Sequence, residues 1–323
     1  LQQNRNFVLN LNVMKKIFWI LLLVNCIAFS QKDNINKQEV VVNPLIKGTL
    51  FSPYKETSKT KLVILIAGSG PTNRSGNSTV GGMNNSLKFL AEGLAKNGTA
   101  VYSYDKRIFA QMIAKTLDEK TLSFEDFIND AKDVVTYFKS QKKYSKIIIA
   151  GHSEGSLIGM VAASNNVDGY VSIAGAGRSI DEVLLEQLGN QSPKMRESAV
   201  DGLASLKAGK TFENKNPMLA SLFRQSVQPY MISWIKYNPQ TEIKKLHIPI
   251  LILNGTKDIQ VSPSDAELLH AANPKSELKI IENMNHIFKE ILVDEDNAKS
   301  YNSPNIPVMP ELISSITTFV NSL

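Results

Sequence analysis

The segment "KIIIAGHSEGSLIGM" (146–160) sets Ser153 between Gly151 and Gly155, behind an apolar β-branched run and ahead of an apolar helical pattern. A serine at the apex of a sharp strand-to-helix turn has its hydroxyl raised above the sheet, at a helix N-terminus where developing negative charge is favoured. The flanking glycines remove the Cβ atoms that such a turn would bring into collision. G-x-S-x-G without that context is a glycine-rich turn with an incidental serine. With a strand before it and a helix after it, Ser153 is a candidate nucleophile.

A serine nucleophile needs a base, and the base needs an orienting group. The chain has four histidines. His152 is fixed inside the turn and is expected to point away from the serine. His247 precedes the strand-like "IPILIL", at the wrong end of the sheet, and His270 falls within a surface helix pattern. His286, in "ENMNHIFKE", follows the strand-like "ELKII" and reaches the carboxyl-end crevice where parallel sheets bind ligands. The orienting acid should leave a strand end between serine and histidine. "LILNGTKDIQVSP" supplies Asp258, three residues past Gly255, with turn capping as its plainer alternative; Asp265 and Glu267 lie inside the next helix pattern. An oxyanion formed by attack on a carbonyl needs two fixed N–H donors. Glu154 supplies the one after the nucleophile. Ser69, in the loop "GSGPTNR" that Gly68 and Gly70 allow to bend, is the expected second. That loop has neither the Lys-Ser/Thr ending nor the G-x-G-x-x-G spacing of phosphate-binding loops.

These residues need a frame that brings strand ends together. "EVVVNPLIKGTLFSP" (39–53) reads as two extended pieces forming an antiparallel edge with a bend at Gly48, and "KLVILIAG" (61–68) as a strand covered on both faces. A helix over 84–98, a strand over 99–105 and a helix over 123–141 follow. Ser123 caps the last of these, with Asp126 three residues on completing the box. Strands over 146–151 and 169–175 flank the helix that starts near Ser153. From Arg178 to Lys245 only helical patterns occur, and strand rhythm resumes at 248–255 and 277–283 before a final helix. Alternating strands and helices predict an α/β fold: a mostly parallel central sheet with helices on both faces and a helical cap insertion at 178–245. The core is expected over 31–177 and 246–323.

The chain has 323 residues, 43% hydrophobic and 20% charged, with a formal net charge of +6. Residues 1–30 are expected to stand outside the fold. Met14-Lys15-Lys16, the run "IFWILLLVNCIAF", and Ala28 and Ser30 at the −3 and −1 positions have the layout of a secretory signal over about 14–30. The alternative is a permanent N-terminal anchor. The run is short for a membrane span, so no stable span is expected after cleavage. Cleavage would remove Cys26, the only cysteine, leaving no cysteine metal site or disulfide; Asn25 argues against a lipoprotein site there. It would also remove Arg5, Lys15 and Lys16 and no acid, taking the charge from +6 to +3, too mild for a nucleic-acid partner.

The order Ser153, Asp258, His286, with the elbow, the glycine loop and the helical insertion, resembles the α/β-hydrolases over about 39–323. "AGSGPTNRSGN", "YDKR", "GHSEGS" and "NGTKDIQV" are similar to segments of bacterial, often exported, esterase-like serine hydrolases. Ile108 and Ala67 depart from that pattern, where a glycine and a histidine are frequent. The resemblance implies cleavage of a small-molecule carboxylic ester through an acyl-enzyme, with no metal or organic cofactor. A peptidase of the same fold would need a carboxylate for the free amine, with Asp181, Glu182 or Glu186 as candidates. A catalytically silent binding protein is the third alternative. Phe223, Tyr230, Met231 and Trp234 would form an apolar wall or serve as core. Asn73, Arg74 and Arg107 are expected either to tie loops together or to meet an acidic group.

Overall fold

The computed structural model describes residues 35–323 apart from 80 and 165. The expected leader over 14–30, with Cys26 and the residues upstream, lies outside the described residues. Eight strands form one sheet: β1 (Ile35–Asn43), β2 (Ile46–Pro53), β3 (Leu62–Ile66), β4 (Ala100–Tyr104), β5 (Ile147–His152), β6 (Gly169–Ile173), β7 (Ile250–Gly255) and β8 (Glu277–Ile281). Their spatial order is β1-β2-β4-β3-β5-β6-β7-β8. The β1–β2 and β2–β4 pairs are antiparallel and the rest are parallel. Every residue of β3 through β7 is buried. That is why these strands read as unbroken apolar runs rather than alternating ones.

The two faces still separate by the two-residue period of a strand. Leu62, Ile64, Ile66, Tyr102 and Ile149 point into one core, and Val63, Leu65, Val101, Ile148 and Ala150 into the other. The helices before β6 are α1 (Ser86–Lys96), α2 (Arg107–Ile113), α3 (Phe124–Ser140) and α4 (Glu154–Ala163). Helix α3 buries Phe124, Phe127, Ala131, Val134 and Phe138 in the first core. It starts with the expected box: the Asp126 amide donates to Ser123 Oγ, and the Ser123 amide donates to the Asp126 carboxylate. Helix α1 covers the opposite face with Leu87, Leu90, Ala91 and Leu94.

Between β6 and β7 the chain is helical: α5 (Ile180–Gln191), α6 (Pro193–Lys207), α7 (Ala220–Phe223), α8 (Gln228–Ile235) and α9 (Pro239–Lys244). These helices have a small core of their own, including Leu184, Leu203, Phe223 and Met231. After β7 come α10 (Pro263–Ala272), α11 (Glu295–Ser300) and α12 (Pro310–Ser322). Among the described residues no helix is long and apolar enough to cross a membrane.

Two local expectations change. Gly48 is not at the bend; it lies within β2, opposite Val40 and Tyr104. The turn is at Pro44-Leu45, where Asn43 Oδ1 accepts from the amides of Leu45 and Ile46. A Cβ at position 48 would stand 2.6 Å from the Tyr102 ring, so the glycine serves packing. The second change is the short α2 behind "YDKR". None of its residues is fully buried; Ile108 packs partly against the first core, and Ile108 and Met112 line the cavity described below.

Candidate active site

Ser153 stands where β5 gives way to α4, with φ 54° and ψ −121°, a backbone geometry outside the regions ordinary residues occupy. Its amide donates to the Ile173 carbonyl at the end of β6, and its carbonyl accepts from the Ser156 amide, so the apex is held from both sides. Two close approaches explain the glycines. A Cβ on Gly151 would lie 2.1 Å from the Gly155 carbonyl oxygen, and one on Gly155 would lie 2.5 Å from the carbonyl oxygens of Ile66 and Ala67. Such backbone contacts cannot give way, so α4 and β3 meet this closely only without those side chains.

The acid and the histidine follow β7 and β8, which pair with each other in the sheet. His286 Nδ1 lies 2.8 Å from Asp258 Oδ2, and both side chains are all but inaccessible. Asp258 Oδ1 accepts from the amides of Gln260 and Val261 at 2.8 and 2.9 Å. With one oxygen held by two backbone donors, the other is fixed on the imidazole, and Nε2 is left as the available ring nitrogen. The alternative acid, Asp265, is occupied elsewhere. It takes two hydrogen bonds from Arg178 and one from the Gly177 amide.

His152 does not simply point away. Its Nε2 is 2.9 Å from the His286 carbonyl oxygen, so a ring protonated there donates to the backbone of the other histidine. The ring also packs against the rings of His286 and Phe288, at 4.8 and 4.7 Å between centroids. Burial, with the neighbouring His286 second, holds His152 well below the ordinary histidine range, so it is neutral. Of the other two histidines, His247 precedes β7 and His270 lies on α10, with Nδ1 2.9 Å from Ser276 Oγ.

The loop after β3 closes over the serine. A Cβ on Gly68 would be 3.2 Å from Ser153 Cβ, and Gly70 has φ +74°, which favours glycine. Thr72 Oγ1 donates to the Ser69 carbonyl and steadies the bend. Ser69, Gly70, Ser153 and Glu154 all line one cavity of about 950 Å³, walled on the helical side by Val183, Leu184, Leu222, Met231 and Trp234. Tyr230 lines it as well, whereas Phe223 is fully buried in the core of the helical segment.

The sequence pattern points only to the backbone of Glu154. Its side chain is buried in an ion pair with Lys106, 2.6 Å apart, with side-chain exposures of 1% and 4%. Lys106 Nζ also donates to the Gly68 carbonyl oxygen at 3.1 Å and sits 4.5 Å above the Phe127 ring. The Tyr230 hydroxyl donates to the other Glu154 oxygen. Burial, then the Glu154 charge, raises the Tyr230 phenol well above its ordinary value, so it stays a donor. The one signal for Lys106 was its place in "YDKR". Arg74 and Arg107 tie loops together: Arg74 grips Asp105, and Arg107 bridges Asp126 and Asp130. Asn73 Oδ1 accepts from the amides of Ser75 and Asn77 within its own loop. Among the described residues, no three His, Cys, Asp or Glu side chains gather where a metal ion would bind.

Residues 81–296 match the family model described as "Serine aminopeptidase, S33". The chain is 30% identical over 270 residues to Esterase EstD of Thermotoga maritima, a match covering 79% of this chain and 60% of that protein's length. Among solved structures, Est1E from Butyrivibrio proteoclasticus is similar with a TM-score of 0.57 at 16% identity, covering 89% of this chain and 99% of the other. The dienelactone hydrolase of Anabaena variabilis gives a TM-score of 0.50 at 14% identity, covering 90% and 98%. At those identities the two structures speak for the fold.

Proposed function

Since the chain belongs to the serine aminopeptidase S33 family of α/β-hydrolases, we propose that it is an exported serine hydrolase that cleaves small-molecule carboxylic esters through an acyl-enzyme. The observation that carries this reading is the buried Asp258–His286 pair, whose histidine packs against His152, together with a strained Ser153 next in the chain at the wall of an apolar cavity. Ser153 Oγ attacks the ester carbonyl carbon while His286 Nε2 takes its proton. The C=O electron pair moves to the oxygen, and the amides of Ser69 and Glu154 stabilise the oxyanion. Collapse expels the alcohol, which leaves with the proton from His286. Water then attacks the acyl-serine by the same route and releases the acid. Asp258 keeps the Nδ1 proton in place and stabilises the imidazolium.

The cavity favours esters over peptides with a free amino terminus. Recognition of an ammonium group needs an uncommitted carboxylate; the two that line the cavity, Glu119 and Glu154, are engaged, and Asp181, Glu182 and Glu186 lie outside its lining. Glu154 is held by Lys106 and Tyr230, Glu119 by Arg224 and Ser226, Asp181 by Lys207 and Glu186 by Arg178. The similarity to Esterase EstD points the same way. Export rests on the basic start at Lys15-Lys16, the apolar run after it and the small residues Ala28 and Ser30.

The test is a panel of p-nitrophenyl esters of increasing acyl length, run beside aminoacyl and peptidyl anilides on wild type and Ser153→Ala. Ester turnover that disappears in Ser153→Ala, with no anilide cleavage, is the expected result. Anilide cleavage faster than ester cleavage would make the protein a peptidase, and undiminished turnover by Ser153→Ala would remove the serine mechanism.

A further inference from the structure

The buried Lys106 does more than neutralise Glu154. An ion pair taken fully out of water contributes little net stability, and apolar side chains of the same volume commonly do as well. What an ammonium group does here, and an apolar chain would not, is hold a particular carbonyl. Lys106 Nζ donates to Gly68 O at 3.1 Å, and that oxygen belongs to the same peptide unit as the Ser69 N–H. Among the described residues no peptide bond is cis, so within this planar unit the C=O and the N–H point to opposite sides. Fixing the oxygen therefore aims the N–H.

The unit stands beside the reacting hydroxyl. Gly68 is close enough to Ser153 that an added Cβ would come within 3.2 Å of the serine Cβ, and Ser69 shares the cavity wall with Ser153. Lys106 is itself immobilised, by Glu154 Oε2 at 2.6 Å and by the Phe127 ring beneath its ammonium. Glu154 is the residue whose amide supplies the other expected oxyanion contact. One cation thus joins the two peptide segments that have to act together. Hydrogen bonding at a peptide oxygen also strengthens the donor at its N–H.

We propose that Lys106 is a positioning residue that sets the Ser69 amide for the oxyanion by holding the oxygen of the Gly68–Ser69 peptide. This rests on the serine-hydrolase reading above. Tyr230, reaching from α8 to the second Glu154 oxygen, extends the same clamp to the helical segment.

The experiment compares wild type with Lys106→Met/Glu154→Gln, which avoids stranding a buried charge, and includes Ser153→Ala as reference. Steady-state constants on the best ester of the panel are measured together with inhibition by a boronic acid, which forms a tetrahedral adduct on a serine. The expected result is a kcat lower by roughly 10- to 100-fold, less than outright loss of an oxyanion donor. KM should stay within about threefold, and boronate affinity should fall in parallel with kcat/KM, as required of an interaction made only in the transition state. A merely structural pair would alter the melting temperature and leave boronate affinity per folded molecule unchanged. If Ser153→Ala is inactive while the double variant keeps kcat within threefold, or loses only KM, the assignment of Lys106 is overturned. If Ser153→Ala is active, the reading of the enzyme fails instead. Should the double variant not fold, Lys106→Gln is measured in the same way, because its shorter amide cannot hold both Glu154 and Gly68.

Discussion

Replacing Asp258 by Asn changes one atom, and the structure dictates how that atom is presented. The carboxylate has one oxygen on His286 Nδ1 at 2.8 Å and the other on the amides of Gln260 and Val261 at 2.8 and 2.9 Å. An asparagine can keep both backbone bonds only with its carbonyl oxygen on them, which turns its NH2 toward the imidazole. The reverse orientation would set NH2 against the buried Val261 N–H and the part-buried Gln260 N–H, at about 1–3 kcal/mol for a buried donor left unpaired. Even the lower bound for Val261 alone, about 1 kcal/mol, favours the first orientation by roughly five to one. Facing an NH2 donor, Nδ1 has to become the acceptor, so the ring proton moves to Nε2 and the lone pair that should receive the Ser153 proton is gone. Loss of the right tautomer and of the charge behind the imidazolium should lower kcat by about 10⁴-fold, or about 5.5 kcal/mol of transition-state stabilisation. The assay is kcat and KM on the best p-nitrophenyl ester, with the melting temperature as a check that the isosteric variant is folded. Asp265→Asn is the comparison, because its carboxylate serves Arg178 and Gly177 and its loss should appear mainly as reduced stability. Asp258→Asn retaining more than about a tenth of wild-type kcat would refute the reasoning, and so would a larger loss from Asp265→Asn.

Two further outcomes concern pH and stability. The side chain of Lys289 is buried, with Nζ on the Ile306 carbonyl and over the Phe89 ring, and burial lowers its ammonium to about 8. Between that value and about 10.4 for an unfolded lysine, the unfolded chain binds a proton the folded chain does not, so stability rises with pH in that window and the full penalty applies below it. Thermal unfolding from pH 7 to 10.5 should show this rise in wild type and a flatter curve in Lys289→Met; equal slopes would discount the lysine. His152 is depressed in the same sense, chiefly by burial. Its contribution is complete above about 6.5, the unfolded value, and is lost as pH falls from there. Melting temperature should drop from pH 7 to 5 more steeply in wild type than in His152→Gln, whose amide can still donate to the His286 carbonyl, and parallel curves would count against it.

The parts of this protein that were legible in its sequence are those governed by neighbours along the chain. The apolar runs of β3, β5 and β7 announce strands buried on both faces because nothing in them can face water. Ser123 and Asp126 announce the start of α3 because capping involves residues three apart. The turn at Gly151-x-Ser153-x-Gly155 is also local, since the clash its glycines avoid includes the Gly151–Gly155 approach, within the motif itself. Gly48 shows the complement: its missing side chain answers to the Ser103 carbonyl oxygen and the Tyr102 ring on β4, distant in the chain.

Strand–helix alternation, the turn that exposes Ser153 and a short field of acids and histidines near the strand ends all follow from the order of residues along the chain. Which of them meet depends on the packing of the whole fold. It set His286 on Asp258 and gave Asp265 to Arg178, two acids seven residues apart that differ in the direction each leaves its element. It turned His152 onto the backbone of His286, and it buried the Glu154 carboxylate between Lys106, 48 residues before it, and Tyr230, 76 residues after it. No local pattern carries these pairings. A buried charge is tolerated only where an opposite charge and donors converge on it, and that convergence exists once the sheet has brought the ends of separate strands and the helical segment to one place.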